Sequence, residues 1–232
     1  MYHPEGPTFL ELMKQALAST ERGYDLLAPK FDYTPFRTPE SVLVAMTAVI
    51  GGERSIDTAL DICCGTGAAM RHLRALCNQR LAGLDFSQGM LDEARRRLVD
   101  APGSCPIELL RGDALELPFD AEFDVITCVG AFGHIVREDE DRFVAGIARA
   151  LRPSGRFVFA TGAMPPVTSS WWWVSRSFNA VMQVRNALLK PEFIMYYLTF
   201  QWPNVRPLLE RHGLRVEAQR RERAIIVTAT KT

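Results

Sequence analysis

From Thr58 to Ala160 the chain alternates short apolar runs with helical patterns, and this alternation constrains the fold more than any other feature. The runs Thr58 to Ile62, Leu81 to Leu84, Ile107 to Leu110, Phe123 to Cys128 and Arg156 to Ala160 each have the length of one strand. Helical patterns lie between them, from Ala68 to about Cys77, through Met90, Leu91, Ala94 and Leu98 on one face, and from about Asp139 to Leu151. Strands joined through helices pair in parallel by right-handed crossovers, which puts ligands at the carboxyl ends of the strands. The tail departs from this rhythm. A helix over Pro203 to His212 ends at Gly213, and two strands follow, Leu214 to Val216 and Ile225 to Ala229, joined through Arg220 to Arg223. With no helix between them they pair antiparallel as a hairpin. Ahead of the alternation, Thr38-Pro39 opens a helix with threonine as N-cap and proline at the first position, and Gly51-Gly52 closes it. The expected fold is α/β, with a seven-stranded, mostly parallel sheet ending on an antiparallel strand.

Composition narrows the class. The 232 residues suit a single domain, divided into an N-terminal helical cap (1–52), a ligand-binding core (53–161), an aromatic helical insert (162–202) and a C-terminal helix with hairpin (203–232). Lys+Arg 27 against Asp+Glu 27 leaves a net charge of +0, which argues against a broadly basic nucleic-acid surface. Five Cys without a C-x-x-C pair fit a reducing, cytoplasmic setting and no metal site. Glu5, Glu11 and Lys14 interrupt the N-terminal apolar residues, unlike a secretory signal, and no run approaches the ~20 apolar residues of a spanning helix.

The strand end Leu60-Asp61-Ile62-Cys63-Cys64-Gly65-Thr66-Gly67 leads into a helix. Gly65 and Gly67 permit positive φ and close approach of a ligand to the backbone. No Lys-Ser/Thr follows, so a triphosphate loop is disfavoured, and Met70 stands where a dinucleotide fingerprint has its third glycine. Asp61 either caps the loop or faces a cationic ligand; it would repel a pyrophosphate. Asp85, about 20 residues past the loop, is placed to bind the two hydroxyls of a ribose, or else to cap the helix that begins near Ser87. Asp113, in Gly112-Asp113-Ala114, is a third acid at the same sheet edge and suits an adenine amino group, with Phe86 and Met90 about the ring.

Together these segments resemble the class I S-adenosylmethionine-dependent methyltransferases. Leu60 to Gly67 is similar to that family's first motif, Gly83 to Met90 to its ribose motif, and Gly112-Asp113-Ala114 to its adenine motif. Phe123-Asp124-Val125-Ile126 resembles its fourth-strand motif, and Arg149 to Arg156 the turn before strand five. The resemblance covers about Asp57 to Ala160. It implies a Rossmann-like three-layer sandwich with a helical lid insert, and S-adenosyl-L-methionine as cofactor, leaving as S-adenosyl-L-homocysteine. The implied cofactor-binding residues are Asp61, Cys63, Gly65, Gly67, Asp85, Phe86, Met90, Asp113, Ala114 and Val129. Cys63 stands where the family often has glycine, and Ser154 replaces the first glycine of its usual Pro-Gly-Gly turn. Cys63-Cys64 and Gly83 to Ser87 are particularly similar to the C-methyltransferases of menaquinone and ubiquinone synthesis. That subfamily's Arg-Asn pair after strand four is absent; the chain reads Gly130-Ala131-Phe132-Gly133-His134-Ile135.

Methyl transfer from a sulfonium needs alignment and exclusion of water more than covalent machinery. His134 is the candidate base or acceptor-positioning group, with a backbone-satisfied loop histidine as the alternative. In many relatives the segment before the sheet folds over the cofactor, which makes Tyr33 and Arg37 candidates for the methionine carboxylate. In the insert, Trp171, Val174, Phe178, Val181, Met182 and Leu188 follow helical spacing, with Arg176, Asn179, Gln183, Asn186 and Lys190 opposite. The insert reads as a lid over a small hydrophobic acceptor, as ordinary core or as a dimer contact, while peripheral membrane contact through 171–200 is less favoured because three cations are few. The rival functions are an NAD-type oxidoreductase and a non-catalytic cofactor-binding module. Monomer and homodimer both remain open.

Overall fold

The computed structural model describes residues 3–34, 36–52, 56–221 and 224–232. Seven strands form one sheet: β1 (Ile56–Ile62), β2 (Cys77–Asp85), β3 (Ile107–Arg111), β4 (Phe123–Cys128), β5 (Leu151–Thr161), β6 (Leu214–Arg221) and β7 (Ala224–Lys231). Their order is β3-β2-β1-β4-β5-β7-β6. All pairings are parallel except the two made by β7, which runs antiparallel to β5 and to β6. The α/β class and the antiparallel hairpin match the expectation; residues 222–223 of its charged connection lie outside the described residues.

The helices are α1 (Phe9–Leu17), α2 (Thr20–Leu27), α3 (Glu40–Gly51), α4 (Ala68–Leu73), α5 (Gln88–Arg97), α6 (Glu140–Ala150), α7 (Ser170–Leu188) and α8 (Arg206–Arg211). Two apolar layers follow from the period of two along each strand. Leu60, Ile126, Phe157 and Phe159 face one layer with Phe143, Val144 and Ile147 of α6. Ala59, Val125 and Val158 face the other with Met46, Met70, Leu91 and Ala94 of α3, α4 and α5. Three layers result.

Two local expectations change. Helix α4 stops at Leu73 rather than near Cys77, because Cys77 already pairs with Ile56 as the first residue of β2. Helix α3 begins at Glu40, with Pro39 in the N-cap position and its carbonyl accepting from Val42 and Leu43; Thr38 provides no side-chain cap.

The register of β1 against β4 is pinned at its start by Asp124. Its Oδ2 accepts from the Asp57 and Thr58 amides at 3.0 and 2.8 Å and from the Thr58 hydroxyl at 3.1 Å, while Oδ1 takes Arg152 at 3.1 Å. Despite partial burial, these donors hold its carboxyl below the usual aspartate range. A folded-state pKa below the unfolded one adds stability above the unfolded value, and that stability is lost as pH falls through the folded one. Asp124→Ala should cost about 2–3 kcal/mol at pH 7, by the loss of its charge-assisted bonds to the Asp57 and Thr58 amides and to Arg152. Urea unfolding at pH 7 and pH 3 checks this, with the difference from wild type shrinking at the lower pH.

Candidate active site

The sheet reverses its winding between β1 and β4, and the loops after these two strands open a crevice at that switch point. The loop after β1 is built from left-handed residues: Cys63 at φ 54°, Gly65 at φ 52° and Gly67 at φ 83°. A Cβ on Gly65 would meet nothing within 4 Å, so this face of the loop borders open space. Gly67 is different. A Cβ there would stand 2.9 Å from the Leu98 side chain, so this glycine serves helix packing and lies outside the cavity that Gly65 lines. Cys63 occupies a conformation that favours glycine, which is the physical reason glycine is common there. Ser154, the other departure, is likewise left-handed at φ 63°.

Two carboxylates flank this loop. Asp61, only 2% exposed, accepts from Thr127 Oγ1 at 2.6 Å. Asp85, 5% exposed, accepts from the Gly65 amide and the Ser87 amide, each at 2.9 Å. Burial raises the pKa of Asp61 to about 7 and that of Asp85 to about 6, against the lowering by these donors. Among the described residues neither has a cationic side chain in salt-bridge range. The helix-cap role is taken by Ser87, whose hydroxyl accepts from the Met90 amide.

A cavity of about 770 Å³ lies against these groups, and Asp61, Cys63, Gly65, Asp85, Phe86, Met90, Val129, Arg37 and His134 all line it. Asp113 and Ala114 instead line an adjoining hollow that shares Cys63, Phe86 and His134 with the first. The three aspartates therefore lie along one edge of the sheet. Tyr33 lies away from these cavities, stacked on His3 with ring centroids 4.8 Å apart. Arg37 pairs with Glu40 at 3.3 Å. The Cys63 thiol is pushed well above its usual range by its contact with Cys128 and by burial, so it presents no thiolate.

The N-terminal cap brings in residues to which the sequence reading assigned no individual role. Asp25 accepts from the Ser87 hydroxyl at 2.7 Å and the Gly89 amide at 2.9 Å, tying α2 to the start of α5. Asp32 accepts from Thr66 of the glycine loop at 2.7 Å and pairs with Arg97 at 2.8 Å. Tyr24 and Phe31, each preceding one of these acids, line the cavity. The repeated aromatic-aspartate pair, Tyr24-Asp25 and Phe31-Asp32, was the available signal.

His134 has both ring nitrogens engaged. Nδ1 meets the Ile194 carbonyl, and Nε2 lies 2.7 Å from the Tyr24 hydroxyl. A carbonyl can only accept, so Nδ1 carries the hydrogen and Nε2 accepts from Tyr24. Burial lowers the His134 pKa and keeps the ring neutral.

Helix α7 keeps part of the expected apolar face inward, with Met182 buried and Phe178 and Trp171 packed on Tyr197, but Asn179 and Asn186 from the expected outer side also point inward. Asn179 exchanges bonds with the backbone of Tyr197, donating at 2.9 Å and accepting at 2.8 Å, and Asn186 does the same with Phe193 at 3.1 and 3.0 Å. The 193–198 segment has no strand partner, so the amide side chains satisfy its backbone. Val174, Val181 and Leu188 are left exposed. Beneath this segment a larger hollow of about 1740 Å³, sharing Tyr24, Val129 and His134 with the first cavity, is lined by Phe132, Trp171, Tyr196 and Tyr197. No described helix is long and apolar enough to cross a membrane.

Comparison with known proteins agrees with this geometry. Residues 59–155 match the family described as a methyltransferase domain. A demethylmenaquinone methyltransferase of Desulfitobacterium hafniense is 34% identical over 121 residues, 50% of this chain and 47% of that protein. The chain thus spans about half the length of the curated relatives it matches. An O-methyltransferase family protein from Burkholderia thailandensis shares the fold at a TM-score of 0.66 and 15% identity, covering 99% of this chain and 65% of that one. The DhpI–SAH complex superposes at 0.65 and 18% identity, covering 96% and 98%. In motif and in fold the chain is similar to the class I S-adenosylmethionine-dependent methyltransferases over the matched core.

Proposed function

We propose that the protein transfers a methyl group from S-adenosylmethionine to a small, uncharged, largely apolar acceptor. The observation that carries this is the pair of buried carboxylates, Asp61 and Asp85, beside a glycine loop and with no cationic side chain in salt-bridge range among the described residues. Buried charge calls for a partner of opposite sign. S-adenosylmethionine brings an ammonium, a sulfonium and a ribose diol, and it fits a site of this charge; the pyrophosphate of NAD would meet repulsion. When bound, it supplies an activated methyl group. Asp85, with lone pairs left after its two amide bonds, serves the ribose. Asp61 serves the cationic end, and the open face of Gly65 lets the backbone approach. Phe86, Met90 and Val129 supply apolar wall, and Asp113 with Ala114 extends the site toward the adenine. The acceptor occupies the neighbouring hollow under the insert, whose aromatic lining suits a flat apolar molecule. The relatives named for demethylmenaquinone support the same substrate class.

Asp85→Ala should weaken S-adenosylmethionine binding at least about tenfold, which corresponds to roughly 1.4 kcal/mol, by titration calorimetry. The cationic donor binds the ionised carboxylates, so its affinity should fall as pH drops from 8 to 5 through the values near 7 and 6. A pH-independent affinity would contradict the assignment.

Asp61 also makes a stability prediction for the ligand-free protein. Its folded-state pKa lies above the unfolded one, so its ionisation costs stability increasingly as pH rises from about 4. That cost is fully present above pH 7. Asp61→Asn keeps the acceptor for Thr127 and should raise Tm at pH 8 while weakening donor binding. The gain should disappear near pH 4. Scanning calorimetry at the two pH values reads the difference.

A further inference from the structure

Tyr24 stands at the junction of the two hollows and lines both. Its hydroxyl is 2.7 Å from His134 Nε2, and the rings meet edge to face at 5.1 Å and 88°. Because Nδ1–H is held by the Ile194 carbonyl, the tautomer is fixed and the Tyr24 proton is directed at Nε2. The lone pairs of Tyr24 Oη are then free to accept, and a ligand that satisfies them must donate. Asp85 nearby and burial both raise the Tyr24 pKa, which disfavours a free tyrosinate. A proton arriving at Oη has one outlet, through Nε2.

The lining of the larger hollow adds a second constraint. Among the described residues it contains no Asp, Glu, Lys or Arg. An alkylammonium or a carboxylate would enter it without a counter-ion, at high desolvation cost, whereas a neutral hydroxyl on an aromatic body enters intact. The donor that Tyr24 requires and the neutrality that the hollow requires are met together by a phenol-like hydroxyl.

We infer that Tyr24 and His134 form a two-step proton relay for an acceptor hydroxyl carried on a flat, uncharged, apolar molecule, with Tyr24 touching the acceptor and His134 receiving the proton. The acceptor O–H bond breaks as its proton passes to Tyr24 Oη and the Tyr24 proton passes to His134 Nε2. An oxygen electron pair forms the new O–CH3 bond, and the electrons of the broken C–S bond remain on sulfur. The positive charge lost from the sulfonium reappears on the imidazolium, so net charge within the site is conserved. This rests on the methyl-donor reading above and adds to it the acceptor's functional group and the route of its proton.

The test uses 1-naphthol as probe and 1-methoxynaphthalene as its hydroxyl-free counterpart, with the full chain saturated with S-adenosylhomocysteine. Calorimetry should show naphthol binding about tenfold tighter in the wild type, the size expected for one hydrogen bond into a buried site. In Tyr24→Phe the two probes should bind alike, with S-adenosylhomocysteine affinity kept within about threefold. With naphthol and S-adenosylmethionine, kcat should fall about 100-fold in Tyr24→Phe and in His134→Gln while KM for the methyl donor holds, the range typical of a lost acid–base group. Equal binding of the probes in the wild type needs no variant and overturns the relay, as does discrimination that survives in Tyr24→Phe. Failure of either probe to bind while S-adenosylhomocysteine binds overturns the acceptor assignment. If S-adenosylhomocysteine itself does not bind, the methyl-donor reading falls instead.

Discussion

Two carboxylates held at the ends of adjacent parallel strands, out of water, are the constraint around which the cofactor side of this molecule is arranged. Asp61 is the penultimate residue of β1 and Asp85 the last of β2, each following a run of buried apolar residues (Ala59-Leu60 and Leu81 to Leu84), so their burial follows from the sheet and not from any local preference. Burial disfavours their ionised forms, and each meets too few donors to offset it. Folding thus leaves two carboxylates whose ionised forms an opposite charge would stabilise. The same backbone amide that Asp85 accepts from, at Gly65, shapes the loop beside it, so charge and loop conformation are set together.

Topology gives the site its second wall. Because β4 returns to the opposite side of β1 from β2, the segments after β1 and β4 diverge, and the crevice between them is bordered by Gly65 on one side and by Val129 to His134 on the other. The N-terminal cap closes the top through Asp25 and Asp32, which bond to the start of α5 and to the glycine loop respectively. These contacts are short-range and polar, and they join the cap to the glycine loop and the start of α5, which border the cavity. A ligand there would be covered by residues that do not belong to the sheet.

The strands, the order of the helices and the acids at the sheet edge were legible because each depends on local periodicity or on residues close in sequence. Cys63 and Ser154 show where pattern and physics meet: both depart from glycine, yet both keep glycine's φ. What escaped depends on distant partners. The Tyr24–His134 contact spans 110 positions, and Asp32 reaches Thr66 across 34. Tyr33 was a plausible anchor by residue type, but it stacks on His3 away from the cavities, whereas Arg37 does line the cavity while also pairing with Glu40. Gly67 was read with Gly65 as a ligand-facing glycine, whereas the packing of Leu98 accounts for it.

Helix α7 follows its apolar periodicity only in part, with Met182 inward but Val174, Val181 and Leu188 exposed. Its apolar residues repeat at helical spacing, which ordinarily marks the buried face. Here the inward positions are taken by Ser175, Met182 and Asn186, because the neighbouring extended segment presents unpaired amides and carbonyls rather than an apolar surface. Two asparagines seven residues apart, Asn179 and Asn186, lie on one side of a helix and reach Tyr197 and Phe193 four residues apart in that segment. Arg185 adds bonds to the carbonyls of Ala16, Ala18 and Pro191 and so fastens α7 to the end of α1. The need to satisfy backbone groups outweighed the burial of three aliphatic side chains at this position. The consequence reaches the site, since the segment clamped by these asparagines carries the Ile194 carbonyl that fixes the His134 tautomer. The polarity of one helix face thereby sets which way a histidine on the other side of the cavity can accept a proton.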